Sequence, residues 1–153
     1  RWAPSGNNAQ PWRFIYALRD TPEWSRLLGL LAERNQGWAH KAGALVLVIS
    51  RTTRRRKGEA EATPLRSHAF DAGAAWMSFA LQAQRLGWST RAMGGFDRAR
   101  ARSELALPAA FEPQVVVAVG RHGLGVDPAE KANERLPLNA LVSKGVFAFD
   151  EVT

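Results

Sequence analysis

The sequence contains no cysteine, so neither a disulfide nor a thiolate metal site can form within this chain. Histidine is scarce as well. His40, His68 and His122 lie far apart, and none stands at metal-ligand spacing from another. No apolar run is long enough to span a bilayer. These features predict a protein that binds no metal and does not cross a membrane, and the lack of cysteine is consistent with a cytoplasmic location.

The familiar patterns of catalytic side chains are also missing. No Gly-x-Ser-x-Gly elbow occurs, and the acidic residues are scattered without a pair suited to glycoside hydrolysis. Gly120, Gly123 and Gly125 follow an apolar run, but their G-x-x-G-x-G spacing is not the G-x-G-x-x-G of dinucleotide-binding loops. If the protein is an enzyme, we therefore expect a bound cofactor to carry the reaction, with no catalytic side chain.

What is present is the composition of an ordinary globular protein. The chain has 153 residues, of which 46% are hydrophobic and 23% charged, and we expect one domain over residues 1–153. The formal net charge of +7 favours anionic partners. Much of the excess lies in residues 51–66, which lack interleaved aromatic residues and apolar periodicity. We interpret that stretch as a solvated loop; a nucleic-acid-binding module using residues 51–57 is the alternative.

Hydrophobic periodicity predicts strands that alternate with helices along the chain. The predicted strands are 12–18, 44–50, 88–93 and 115–120, and the predicted helices are 21–35, 67–86 and 98–107. The helix over 67–86 is apolar around most of its circumference, so we expect it to be buried by a second layer or by another subunit. Asp71, inside that helix, is interpreted as structural, with a polar network as the alternative. Asp97 is the expected cap of the last helix.

The sequence PSGNN at residues 4–8 is a turn cluster that directly precedes the first predicted strand. Glycine and asparagine tolerate positive φ, and Pro4 fixes its own φ. A plain loop entering a sheet is the ordinary interpretation. The alternative is a loop that faces a ligand with small amide and hydroxyl donors. The Gly94-Gly95 pair and Arg135 are further candidates for parts of a cofactor site.

Five segments, in order, resemble the nitroreductase family of flavoproteins. The first, RWAPSGNNAQPWRFI, is similar to the family's Ala/Ser-Pro-Ser-x-x-Asn-x-Gln-Pro-Trp motif; the others are residues 35–50, 68–97, 106–121 and 133–142. The resemblance implies an α+β nitroreductase-like fold, with a central mixed sheet flanked by helices and a long buried core helix. It also implies a homodimer with two flavin mononucleotide (FMN) cofactors at the interface. The family's N-terminal helix and its Arg-Arg-Ser-x-Arg motif are missing from this sequence.

The resemblance also implies which residues meet the flavin. Pro4, Ser5, Gly6 and Asn8 would line it, partly from the neighbouring subunit. Asn35 would meet the polar edge of the ring. Met93, Gly94 and Gly95 would pass close to the ring, with the Gly94 N–H near flavin N5, and Arg135 would meet the phosphate. The family often has lysine two residues before Arg135, where this chain has Asn133.

The function implied is that of an NAD(P)H-dependent FMN oxidoreductase. Hydride would pass from NADH or NADPH to the flavin, and then electrons would pass to a small acceptor such as a nitroaromatic or a quinone. The missing arginine motif leaves a non-enzymatic or degenerate flavin-binding protein as the alternative. We expect a homodimer as the partner arrangement, and neither membrane nor nucleic acid as a partner.

Overall fold

The structure is a computed structural model that describes residues 1–55, 58, 60–121 and 133–149. It forms two compact units, Arg1–His122 and Gly123–Thr153. The helices of the first unit are α1 (Trp24–Gly29), α2 (Glu33–Ala39), α3 (His68–Arg85) and α4 (Arg98–Glu104). Its strands are β1 (Trp12–Leu18), β2 (Ala44–Arg51), β3 (Thr53–Arg54), β4 (Thr63–Pro64), β5 (Ser89–Met93) and β6 (Phe111–Gly120). The expectation of a single domain stays a prediction.

The main sheet has four strands in the order β1-β2-β6-β5, and β3 pairs separately with β4. Every neighbouring pair of the main sheet is antiparallel. Over the described strands, the predicted mixed sheet is therefore corrected to an antiparallel one. The mixed sheet was implied by the resemblance alone, because an apolar run indicates a strand but carries no information about its direction.

β2 is the central strand, and both of its faces are covered. Leu45, Leu47 and Ile49 pack into a core with α1 and its neighbours, whereas Val46 and Val48 pack towards α3. Alternate residues of a strand point to opposite faces, so a strand covered on both sides is apolar throughout. The prediction of a buried central strand over 44–50 is confirmed.

α3 covers one face of the sheet and lies close to the predicted bounds of 67–86. Small residues on its inner face are buried, among them Ala72 and Ala75. Phe70, Met77 and Leu81 recur at helical spacing on the outer face and are 82%, 52% and 51% exposed. Within this chain the helix is thus buried on one face only, because the sheet can cover only one side of it.

The helix predicted over 21–35 is in fact two helices, α1 and α2, separated by Leu30–Ala32. The backbone there pairs with a distant segment: Leu31 forms a β-bridge with Phe96, and the Asp97 N–H donates to the Leu30 carbonyl at 2.8 Å. Tertiary pairing therefore overrides a local pattern that favours one continuous helix. This break is important for the site because it brings the start of α2 against the residues that follow β5.

In the second unit, the described residues 133–149 contain one 3-10 turn, Leu138–Ala140. Several of its large apolar side chains are exposed, namely Leu136, Leu138, Leu141, Val142, Val146 and Phe147. His122, Gly123 and Gly125 lie outside the described residues. No helix in the described part of the chain is long and apolar enough to cross a membrane. Residues 1–55, 58, 60–121 and 133–149 also contain no cluster of acidic and histidine side chains that could hold a metal.

Candidate functional site

The candidate site residues of the first unit form two groups at opposite edges of the main sheet. Pro4–Asn8, which we term the opening loop, precedes β1, and Gly94–Gly95, which we term the glycine turn, follows β5. β2 and β6 lie between these edges. Since neighbouring strands are about 4.8 Å apart, β1 and β5 are separated by roughly 14 Å. No hydrogen bond joins the two groups within the described residues.

The opening loop has an unusual backbone. Gly6–Asn8 forms a 3-10 turn in which Asn7 and Asn8 have φ of 50° and 53°, and Gln10 follows with φ of 44°. Asparagine adopts this left-handed region more readily than other side chains, whereas glutamine does so rarely. The Ser5 hydroxyl oxygen accepts the Gln10 N–H at 3.0 Å and closes the loop. The predicted turn is therefore present, with its asparagines at positive φ.

The loop is anchored to α3 through Asp71. The Asp71 Oδ2 atom accepts the Gly6 N–H at 3.2 Å and the Ser67 hydroxyl at 3.0 Å. Gly6 approaches the helix so closely that a Cβ there would lie 2.9 Å from Ser67 Oγ. Close approach therefore favours glycine at position 6, because a Cβ would force the Ser67 hydroxyl to move. The polar-network alternative for Asp71 is the one that the structure supports.

The glycine turn is held by both backbone and side-chain hydrogen bonds. The Gly95 carbonyl accepts the Ala32 N–H at 2.9 Å and the Asn35 amide Nδ2 at 3.0 Å. A Cβ on Gly95 would lie 3.0 Å from Asn35 Nδ2, so this position is also tight. The structure therefore brings two of the predicted site residues, Asn35 and Gly95, into direct contact. That contact depends on the break between α1 and α2.

Gly94 differs from Gly95 because nothing in the described chain requires a glycine there. A Cβ on Gly94 would have no atom within 4 Å, and its φ lies outside the left-handed region. Its carbonyl accepts the Phe96 N–H at 3.2 Å and the Arg98 guanidinium at 3.4 Å. The N–H groups of Gly94 and Gly95 donate to no group within the described residues. The turn therefore offers two backbone donors that are free within the described residues, and the space beside Gly94 is open.

An open cleft of about 590 Å³ adjoins the glycine turn. Its walls include Gln36, Arg98 and Arg100 as well as both glycines. Arg98 stacks its guanidinium 4.7 Å from the centre of the Phe96 ring, and Arg100 pairs with Glu104 of α4 at 2.9 Å. The cleft is large enough for part of a cofactor or a small substrate, with cationic side chains at its rim.

Met93 and Asp97 flank the glycine turn in different ways. The Met93 side chain is buried in the core, so only its backbone is available to a ligand. The Asp97 carboxylate accepts the Arg100 N–H at 2.9 Å and caps α4, as predicted from the sequence. Asp97 therefore fixes the chain that leaves the turn.

Arg135 lies in the second unit, where its guanidinium donates to the carbonyls of Asn133 at 2.8 Å and Glu134 at 3.1 Å. Its predicted contact with a phosphate stays a prediction. Within the basic stretch 51–57, Thr53–Arg54 pairs with Thr63–Pro64. Arg56 and Lys57 lie outside the described residues.

Sequence reasoning missed the anchoring role of Asp71 and Ser67. An acidic residue in the first turn of a helix is common, since it interacts favourably with the helix dipole. Gly6 and Asp71 lie 65 positions apart in the sequence. No local signal in one sequence could have identified this contact.

Comparisons with known proteins agree with the geometry. The nitroreductase family model matches residues 17–121. A solved structure of an FMN-containing oxidoreductase is 38% identical, with a TM-score of 0.89, and the match covers 97% of this chain and 78% of that one. A protein from Desulfovibrio desulfuricans assigned as a nitroreductase, solved in complex with FMN, is 27% identical, with a TM-score of 0.71 and coverage of 96% and 79%.

A nitroreductase family protein from Clostridium difficile 630 shares the fold at 24% identity, with a TM-score of 0.70 and coverage of 95% of this chain and 80% of that one. A comparison with curated protein sequences gives no match. The family and structural matches confirm the predicted α+β fold and the resemblance on which it was based.

Proposed function

Because this chain belongs to the nitroreductase family, we propose that it is an oxidoreductase that uses FMN as its cofactor. The proposal is supported by its likeness to an FMN-containing oxidoreductase at 38% identity and to an FMN complex at 27% identity. We further propose a reduced nicotinamide, NADH or NADPH, as the electron donor. The proposed acceptor is a small molecule such as a nitroaromatic or a quinone.

The observation that carries the proposal is the glycine turn. A flat ring system needs a surface without side chains and with backbone donors for its polar atoms. Gly94 meets both requirements: its N–H is free in the described chain, and the space where a Cβ would lie is open. No contact within the described chain accounts for a glycine at position 94, whereas a bound ring would. The residues present therefore fit FMN.

FMN, when bound, supplies the hydride and electron transfer that no side chain of this sequence could provide. The residues that would hold it are Pro4, Ser5, Gly6, Asn8, Asn35, Met93 through its backbone, Gly94, Gly95 and Arg135. The free N–H groups of the glycine turn would donate to polar atoms of the ring. Arg135 would pair with the phosphate, because a guanidinium makes strong, often bidentate, bonds to phosphate oxygens.

Two features support a homodimer in which each site uses both subunits. The opening loop and the glycine turn are at opposite edges of one sheet, so a second copy could bring the loop of one chain to the turn of the other. The outer face of α3 exposes Phe70, Met77 and Leu81, which soluble monomers usually cover. Light scattering on the flavin-loaded protein should give the dimer mass. A stable flavin-loaded monomer would contradict this part of the proposal.

The visible spectrum of the purified protein tests the cofactor and the donor together. We expect flavin absorbance that bleaches when NADH or NADPH is added without oxygen and returns when a nitroaromatic or a quinone follows. The two nucleotides should be compared at equal concentration to identify the donor. Protein that stays colourless after incubation with FMN would contradict the proposal, and bound flavin that neither nucleotide bleaches would remove the donor from it.

A further inference from the structure

Asp71 is a buried charged residue that the proposed chemistry does not use. It is only 3% exposed, and a carboxylate removed from water needs hydrogen-bond donors to offset the loss of hydration. Its Oδ2 atom has two, the Ser67 hydroxyl on its own helix and the Gly6 N–H of the opening loop. Within the described residues, the bond to Gly6 is the hydrogen bond that joins the loop to α3.

The first turn of α3 provides a fixed base for this anchor. His68 Nδ1 is hydrogen-bonded to Ser50 Oγ at 2.8 Å, and Gln114 Nε2 donates to the same oxygen at 2.8 Å. Ser50 is fully buried at the end of β2. The start of α3 is therefore tied to the two central strands, so the Asp71 carboxylate has a defined position relative to the sheet.

The opening loop needs such an anchor because its backbone is strained. Asn7 and Asn8 have positive φ, as does Gln10 two residues beyond the loop. Asparagine tolerates this region better than most residues, but for any residue other than glycine it carries a cost that surrounding contacts must offset. Without the anchor, the loop would populate other conformations, and a ligand would have to pay the ordering entropy on binding. A loop ordered in advance binds more tightly.

We infer that Asp71 is a positioning residue that holds the opening loop in its cofactor-binding shape without touching the cofactor. This inference rests on the proposed function, since the loop's role is to line FMN. The carboxylate acts through Gly6, and both donors meet a single oxygen. A residue that keeps one acceptor oxygen at this point should therefore keep most of the effect.

Substitutions at Asp71 test the inference through two measurements, the Kd for FMN and the exchange rate of the Gly6 amide hydrogen in the flavin-free protein. Asp71→Ala should weaken FMN binding about tenfold to 100-fold, as loss of a hydrogen bond to a charged group does. The exchange rate of the Gly6 amide hydrogen should increase by at least the same factor. The amide hydrogens of β2 should exchange at the wild-type rate. Asp71→Asn retains a carbonyl oxygen and should stay within about fivefold of wild type.

Two further variants distinguish a loss of loop positioning from a general loss of folding or stability. Asp71→Glu keeps the charge but moves the carboxylate by one methylene group, so a folded protein with weakened FMN binding is expected even if Asp71→Ala does not fold. Ile49→Val is the stability control, since Ile49 is buried on the opposite face of the sheet. It should lower the melting temperature and leave both the Kd and the Gly6 exchange rate unchanged.

The possible results distinguish a failure of the proposed function from a failure of the inference about Asp71. Wild-type protein that takes up no FMN overturns the proposed function and this inference with it. Wild-type protein that binds FMN, together with a folded Asp71→Ala or Asp71→Glu variant of unchanged Kd, overturns the inference alone. Faster exchange throughout β2 in Asp71→Ala, equal to that at Gly6, also overturns it, because Asp71 would then contribute to global stability only.

Discussion

The opening loop and the glycine turn are both short, glycine-containing segments beside an edge strand, yet they are held in different ways. The loop is attached to α3 through one side chain, because Asp71 accepts its Gly6 N–H. Within the loop, the Ser5 hydroxyl accepts the Gln10 N–H, and backbone bonds from Asn8 and Ala9 form the 3-10 turn. The turn is held by two backbone N–H groups, those of Ala32 and Phe96. The side chains of Asn35 and Arg98 each add one further hydrogen bond. The loop should therefore be sensitive to substitutions in α3, and the turn should tolerate most substitutions around it.

The glycines themselves sharpen the contrast. Gly6 and Gly95 are each explained by a neighbouring side chain, since a Cβ would lie 2.9 Å from Ser67 Oγ in one case and 3.0 Å from Asn35 Nδ2 in the other. Gly94 has no such neighbour. Because the surroundings of Gly94 leave room for a side chain, no contact within the described residues explains why this position is a glycine. The following predictions test these differences.

The largest effect should come from Gly94→Val. The protein should fold normally, because a Cβ at this position meets nothing within 4 Å. FMN binding should weaken roughly 100-fold, since the added methyl groups would occupy the space proposed for the ring. Flavin content and Kd measure the effect. Gly37→Val is the matched control: position 37 in α2 is equally open, and its substitution should leave FMN binding unchanged. Normal binding by Gly94→Val would mean that the turn does not face the cofactor.

Arg135 lies in neither the opening loop nor the glycine turn, and its substitution tests the proposed contact with the phosphate of FMN. Arg135→Ala should weaken FMN binding by about 1.5–3 kcal/mol, the range for hydrogen bonds to charged groups. Riboflavin, which lacks the phosphate, should lose much less. The measurement is a pair of titrations of both ligands against wild type and variant. Equal losses for the two ligands would remove Arg135 from the phosphate site.

Gly6→Ala tests the close approach of the opening loop to α3. The new Cβ would collide with Ser67 Oγ, so the loop should shift and FMN binding should weaken about tenfold. Ser67→Ala removes the colliding oxygen, and the next atoms, Asp71 Oδ2 and Ser67 Cβ, are both 3.9 Å away. The double variant should therefore recover much of the affinity that Gly6→Ala loses. If Ser67→Ala does not relieve the defect, the loop is positioned by other contacts.

Asn35→Ala should have the smallest effect of the four. It removes one hydrogen bond to the Gly95 carbonyl, but the Ala32 N–H remains bonded to the same oxygen. The expected loss in FMN binding is about 0.5–1.5 kcal/mol, the value of a neutral hydrogen bond. Isothermal titration would measure it. A loss of 100-fold or more would show that Asn35 contributes more than its hydrogen bond to the Gly95 carbonyl.

The elements that local patterns specify were predicted well. The β-branched and aromatic run over 12–18 is β1 with the same bounds, and the long apolar helix differs from α3 by one residue at each end. Asp97 caps α4 as its side-chain type suggests. In each case, the information lies within a few neighbouring residues.

What could not be predicted depends on contacts between distant residues. The break after α1 exists because Leu31 pairs with Phe96, and Asn35 meets Gly95 across 60 positions of the chain. The antiparallel direction of the sheet is likewise a property of the whole topology. The outer face of α3 is apolar in sequence, but the sequence alone does not say whether a sheet or another subunit covers it.

The position of β2 between β1 and β6 also constrains how the chain can fold. β1 and β2 are joined by residues 19–43, which form α1 and α2. β2 and β6 are farther apart in the sequence, since α3, β5 and α4 lie between them and Ala44 pairs with Val119. Such long-range pairing is intrinsically slow. Until it occurs, β2 is an unprotected edge with six consecutive residues that are buried in the finished protein. Nascent or partly unfolded chains therefore carry their main aggregation hazard in the strand that later becomes the centre of the sheet.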